Sequence, residues 1–193
     1  MRSIFLILTF MLIQNYIHSQ TWTQQQLEKA NTAQNIKYLS EIEKGVIMYI
    51  NLARLYPKDF IKIELNKMTS KDTYTTSLRN TLSSMNPLQV LLFDSLLYQS
   101  AKCHAQAQAI SGEVGHKRYN CKKYYNSECC SYGNDEAIKI VLSWLIDKDV
   151  NNLIHRKICL NKNSYKIGVS FNTHKTWRTC AVADFLTHFE NKK

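Results

Sequence analysis

Four ionisable residues stand out by chemical type: His116, Glu128, Asp147 and His155. Neutral imidazoles are good ligands for zinc, and carboxylates can complete a coordination shell or orient the rings. The same groups can also exchange protons near neutral pH. Because 39 residues separate the two histidines, they form no local metal motif. From spacing alone each reads as a surface or structural group. A hydrolase reading would pair Glu128 with His155 as the base, acting on water or on Ser127 or Ser131. The chain has neither a G-x-S-x-G elbow nor an H-E-x-x-H helix, the patterns that would make hydrolysis specific.

Other polar candidates are read as structural. His104 lies on an apolar helical stripe and is expected in the core or at its boundary. His174, in a turn, and His188, near the terminus, are expected to be exposed. Arg54 suits a structural salt bridge or cap, and Trp144 suits the core. The stretch Lys117-Arg118 with Lys122-Lys123-Tyr124-Tyr125 interleaves charge and aromatic rings, as nucleic-acid surfaces do. A solvated face or an anionic surface is the expected reading, because an exported chain does not meet nucleic acid.

These groups must be held by elements the pattern already suggests. Ser40-Glu41-Ile42-Glu43 matches a capping box, and Ile42, Val46, Tyr49, Ile50 and Ala53 follow at helical spacing until Pro57. Asp94 can cap a second helix, with Leu97, Ala101, His104 and Ala105 on one stripe. Leu96, Cys103, Ala107 and Ile110 lie beside that stripe. A third helix is expected from near Asn134-Asp135, turning Ile138, Val141, Leu142 and Leu145 inward. Period-2 runs at Ile167–Phe171 and Cys180–Phe185 predict two strands joined by a polar turn. Residues 21–38 are polar and read as a surface or mobile leader, and 67–83 read as a surface loop. Helices first and a hairpin last predict an α+β fold.

Composition narrows the class. The chain has 193 residues, 45% of them hydrophobic and 21% charged, which fits one ordered domain rather than a disordered segment. Five glycines and two prolines exclude collagen-like and Pro-rich architectures. Residues 1–19 combine a basic start with an apolar run too short to span a bilayer, and read as a secretory signal cleaved after Ser19. The alternative is an uncleaved N-terminal anchor. Cleavage would remove Arg2 and lower the net charge from +10 to about +9. Export predicts a secreted or periplasmic location. The six cysteines, Cys103, Cys121, Cys129, Cys130, Cys159 and Cys180, then suit an oxidising compartment with up to three disulfides. Cys129 and Cys130 are too close to bridge each other. One of them is expected to pair with Cys180, the alternative being free thiols.

Ordered motifs add a resemblance. Asn51-Leu52-Ala53-Arg54 before Pro57 resembles the N-x-A-R opening of the CAP superfamily, the cysteine-rich secretory and pathogenesis-related proteins. Asn86-Pro87-Leu88 with Leu96-Leu97 and Ala101 resembles its second-helix entry. Gly115-His116, Ser127-Glu128, Trp144-x-x-Asp147, His155-Arg156 and Gly168-Val169 follow in the family's order. The match spans about 40–188 and is similar to the compact bacterial type. It implies a three-layer α-β-α sandwich with a central antiparallel sheet, over a domain at 40–189 preceded by the 20–39 leader. It also implies a cleft holding His116, Glu128, Asp147 and His155, with zinc on His116 and His155. Ser127 and Cys129 stand where the family has glycine and asparagine beside the first acid, and Asp147 is one methylene shorter than the family's glutamate. The implied function is binding of a small ligand, a lipid or a divalent cation in envelope or host interaction, with protease or esterase activity as the alternative.

Overall fold

The computed structural model describes residues 20–69 and 72–188. The export signal and the last residue of the expected domain lie outside the described residues. Helix α2, Glu41–Leu55, starts at the capping box: Ser40 Oγ accepts from the Glu43 N–H, and the Glu43 carboxylate accepts from the Ser40 N–H at 2.7 Å. Its apolar stripe, Val46, Ile47, Ile50 and Ala53, is fully buried. Helix α5, Ser95–Ser111, is capped by Asp94 at its start and ended by Gly112, whose left-handed φ of 76° suits glycine. The third expected helix begins slightly later, as α6 Ala137–Ile146.

Four strands make the sheet: β1 Leu92–Phe93, β2 Ser127–Tyr132, β3 Ser164–His174 and β4 Arg178–Thr187, in the order β1-β3-β4-β2. The β3–β4 hairpin is the pair that the period-2 pattern marked. The sheet is antiparallel except at its edge, where the two residues of β1 run parallel to β3.

Side-chain alternation sorts the core into two layers. Ala181, Ala183 and Phe185 of β4, with Cys129 of β2 and Ile167 and Val169 of β3, pack with α2 and α6. Cys180 and Val182 of β4, with Cys130 of β2, face Ala101 and Ala105 of α5. Helix α5 lies so close to the sheet that a Cβ on Gly168 would fall inside the Leu97–Tyr98 backbone, and only glycine allows that approach. The result is the expected three-layer α-β-α sandwich, with α5 the one helix on its face among the described residues.

Two expectations from polarity fail, both because short helices can be polar yet anchored by a few residues. The 20–39 leader contains α1, Gln24–Ala30, with a Thr23/Gln26 capping box, and sends Ala30, Ala33 and Leu39 into the core. The expected loop at 67–83 contains α4, Thr73–Ser84, capped by Asp72 and fixed by buried Thr75, Leu78 and Leu82. Between α2 and α4 runs α3, Pro57–Ile63, with Pro57 at its first turn. Helix α7, Ile154–Cys159, precedes β3. Among the described residues no helix is long and apolar enough to cross a membrane.

Candidate functional site

The N-x-A-R opening proves to be structural. Asn51 and Arg54 are fully buried. Asn51 donates to the carbonyls of Ala30 and Leu91 and accepts from the Leu91 N–H. Arg54 donates to the carbonyls of Gln89, Cys159, Asn161 and Ser164 at 2.9–3.1 Å. It therefore caps the end of α7 and fastens it to α2; its partners are carbonyls, so it is a cap and not a salt bridge. Burial lowers its pKa to about 10.

That anchoring matters because α7 carries His155. The turn before it is strained: Asp147, Asp149, Asn152 and Leu153 all have φ between 51° and 60°. Asp and Asn tolerate this region, whereas Leu does so at a cost. The left-handed Asp147 ends α6 and swings its carboxylate back onto α7. Oδ1 meets His155 Nδ1 at 2.8 Å, and Oδ2 accepts from the His155 N–H at 2.8 Å. Asp147 thus holds both the ring and the first turn of α7.

The first histidine is positioned differently. The only disulfide among the described residues joins Cys103 of α5 to Cys121, pinning the loop that bears His116. His116 Nδ1 lies 2.8 Å from Glu128 Oε1. Glu128, on the α5 side of β2, is nearly sealed from solvent, and its Oε2 accepts from Arg118. Arg118 also donates to both oxygens of Asp184, at 2.9 and 3.0 Å, and to Ser100. Burial works to raise the Glu128 pKa, but hydrogen bonds from His116 and Arg118 outweigh it and hold the carboxyl below its ordinary value. Asp184 goes the other way. Burial pushes it up to about 8, helped by the neighbouring Glu128 charge and opposed by Ser100 and Arg118.

The structure thus brings the two imidazoles together, with ring centroids 6.2 Å apart and planes tilted by 42°. Each has its Nδ1 against a buried carboxylate, which leaves Nε2 as the uncommitted nitrogen. His116 has half its side chain exposed, and His155 less. They border a cleft of about 510 Å³ lined also by Val114, Trp144, Asp147, Val150 and Trp177. Glu128 stands behind His116 and not in the cleft. The Glu128–His155 pair of the hydrolase alternative does not form, because Glu128 sits with His116 while Asp147 takes His155. Ser131 and Ser143 hydroxyls bond to each other at 3.0 Å, and Ser143 also donates to the Ile140 carbonyl.

Trp144 is buried as expected, with its indole N–H on the Cys130 carbonyl at 2.9 Å. His104 is buried as expected. His174 is the exception among the dismissed histidines. It is 3% exposed, because its Nδ1 accepts the Thr176 and Trp177 N–H groups and so closes the hairpin turn. His188 is exposed, stacked on Tyr165. The cysteine expectation is overturned: Cys129, Cys130, Cys159 and Cys180 are free and buried. Alternation puts Cys129 on the opposite face of the sheet from Cys180. Cys130 shares that face, but β2 pairs Cys130 with Val182 and Cys180 with Tyr132.

Two site residues were missed. By sequence Arg118 belongs to a basic surface stretch and Asp184 to a strand, with no further role. A lone carboxylate in the apolar run Ala181-Val182-Ala183-Asp184-Phe185 was the available signal, since such a group needs a buried cation. The rest of the basic stretch does face solvent, with Lys117, Lys122 and Lys123 over the rings of Tyr119, Tyr124 and Tyr125.

Comparison with known proteins follows this geometry. Residues 47–185 match the model of the cysteine-rich secretory protein family, CAP. No curated protein sequence matches. Among solved structures, the venom allergen-like protein 4 of Schistosoma mansoni is similar at 14% identity, with a TM-score of 0.48, over 79% of this chain and 92% of that one. Neither comparison supports assignment to the compact bacterial type. Since the family model spans most of the sandwich, from within α2 to the last core residue of β4, this chain belongs to the cysteine-rich secretory protein family.

Proposed function

We propose that this is a secreted binding protein whose cleft takes a small ligand or lipid together with a divalent cation, in envelope or host interaction. One observation carries the reading: two imidazoles meet at 6.2 Å beside an apolar-walled cleft, each held through Nδ1 by a buried carboxylate. A carboxylate on the far nitrogen is the usual support of a metal-binding histidine, since it fixes the tautomer and raises basicity. The residues present therefore fit zinc. His116 and His155 would hold the ion through Nε2, with Glu128 and Asp147 behind them, and a bound dication would attract an anionic headgroup or carboxylate. Val114, Trp144, Val150 and Trp177 supply the apolar wall that an acyl chain or other apolar group would cover.

Export is part of the reading, resting on the basic-then-apolar residues 1–19 and on the family's secretory character. Hydrolysis is disfavoured because Glu128 and His155 are each paired elsewhere, and the Ser131 hydroxyl is engaged by Ser143 and Asn134. Isothermal titration with zinc on the wild type and on His116→Ala/His155→Ala tests the cleft. The double variant should lose the zinc-binding step that belongs to the cleft, weakening it by at least tenfold, and equal heats from both proteins would end the cleft's metal reading.

A further inference from the structure

We infer that the α5 side of the sheet holds a distinct metal site for a thiophilic dication of the zinc class, built from His104, Glu128 and Cys130 with His116 at its mouth. One donor atom from each of His104, Glu128 and Cys130 lies within 4.8 Å of the others, and all three residues are buried. The shorter separations are telling. His104 Nε2 stands 3.8 Å from Glu128 Oε1, and Cys130 Sγ stands 3.8 Å from His116 Nδ1. In a tetrahedral zinc site with bonds of about 2.0–2.3 Å, neighbouring donors lie about 3.3–3.6 Å apart. The two 3.8 Å spacings reach that range with shifts of a few tenths of an ångström. The 2.8 Å His116–Glu128 contact would open by about half an ångström or more, and the other pairs, within 4.8 Å, would close by up to about 1.5 Å.

The placement follows from the fold. Glu128 and Cys130 are alternate residues of β2 and so share its α5 face. His104 comes from the inner stripe of α5, and the Cys103–Cys121 bridge keeps the His116 loop over them. A second observation concerns His104, which is 1% exposed. Its Nε2 faces the Gly115 carbonyl at 2.9 Å, while its Nδ1 is buried with no hydrogen-bond partner. An ion on Nε2 would displace the Gly115 contact, and that carbonyl would keep its bond from Gln108 Nε2 at 2.7 Å. Burial lowers the tendency of the ring to protonate, which suits a neutral ligand.

Charge favours a dication. Arg118 offsets Glu128, and Asp184 beside them is largely protonated at neutral pH, so a Cys130 thiolate would leave the cluster with a net negative charge for the ion to meet. Without a metal the thiol keeps its proton, because burial and the Glu128 charge push it well above the ordinary range. The ion takes the place of that proton. Cys130 and His116 also line the cleft, which gives an ion its way in. The site shares His116 with the cleft but needs neither Asp147 nor His155, so it does not depend on the binding function proposed above.

Cobalt(II) is the probe. The chelator-stripped wild-type protein is titrated with cobalt and read by absorption, where a thiolate ligand gives a charge-transfer band in the near ultraviolet. The expected result is a saturable band that is bleached by added zinc. It is absent in Cys130→Ser and weakened at least tenfold in affinity in His104→Gln. It is retained in His155→Ala, even though that variant impairs the cleft. Circular dichroism confirms that each variant is folded. Cobalt uptake by the wild type without a thiolate band, or no uptake, overturns the site; so does a band that survives in folded Cys130→Ser.

Discussion

Replacing Arg54 tests whether the anchoring of α7 rests on carbonyl capping. Its guanidinium satisfies four backbone carbonyls, and the bonds to Cys159 and Ser164 are buried while those to Gln89 and Asn161 are partly so. A buried acceptor left without its donor costs about 1–3 kcal/mol. The Cys159 carbonyl would lose its donor outright, whereas Ser164 keeps a bond from Gln89 Nε2 at 3.0 Å. Together they predict about 2–4 kcal/mol for Arg54→Met, and the partly buried pair, which water can reach, adds less. Against this, removing a cation from the interior recovers some desolvation energy. A net loss of about 3 kcal/mol follows, equivalent to a fall of roughly 6–12 °C in Tm for a chain of this size. Arg54→Lys keeps the charge but lacks the planar fork, so it should lose about 2 kcal/mol. Urea unfolding followed by circular dichroism gives both values, with the slope of the transition checked for constancy. A loss below about 1 kcal/mol for Arg54→Met would refute the reasoning. It would mean that α7 and the chain entering β3 are held by packing alone.

Other predictions concern the bridge, the buried acids and the basic strip. Opening Cys103–Cys121, whose partners are 18 residues apart, by Cys103→Ser/Cys121→Ser should cost about 3 kcal/mol in the chain-entropy account. Alkylation of the denatured, unreduced protein should label Cys129, Cys130, Cys159 and Cys180 while peptide mapping finds Cys103 linked to Cys121. Asp184 titrates at about 8 when folded, far above an unfolded carboxyl, so its contribution is fully present below about pH 4 and fades as pH rises towards 8. Asp184→Asn should flatten that fall in urea midpoints across the same window, and an unchanged pH profile would exclude it. Binding to anionic vesicles should weaken as salt rises, and weaken again in Lys122→Gln/Lys123→Gln; salt-independent binding would count against a charge-driven surface.

Much was legible in the sequence because much of it is local. The Ser40–Glu43 box, the Asp94 cap and the helical stripes of α2 and α5 depend on neighbours three or four residues away, and the β3–β4 hairpin on a period of two. The order of Gly115-His116, Ser127-Glu128, Trp144-x-x-Asp147 and His155-Arg156 marked the family and the two histidines. Helices α1 and α4 were hidden because only a few apolar residues, Ala30 in one and Leu78 and Leu82 in the other, hold polar segments to the core. What only the tertiary structure decided is which partner each group meets. Strand alternation and the α5–β2 approach set Glu128 against His116 and Arg118, while the left-handed turn at Asp147 gave His155 its own acid. The same geometry separated Cys180 from Cys129 and Cys130 and gathered His104 with Cys130. These are contacts between residues far apart in the chain, fixed by sheet register and layer packing, and no local spacing encodes them.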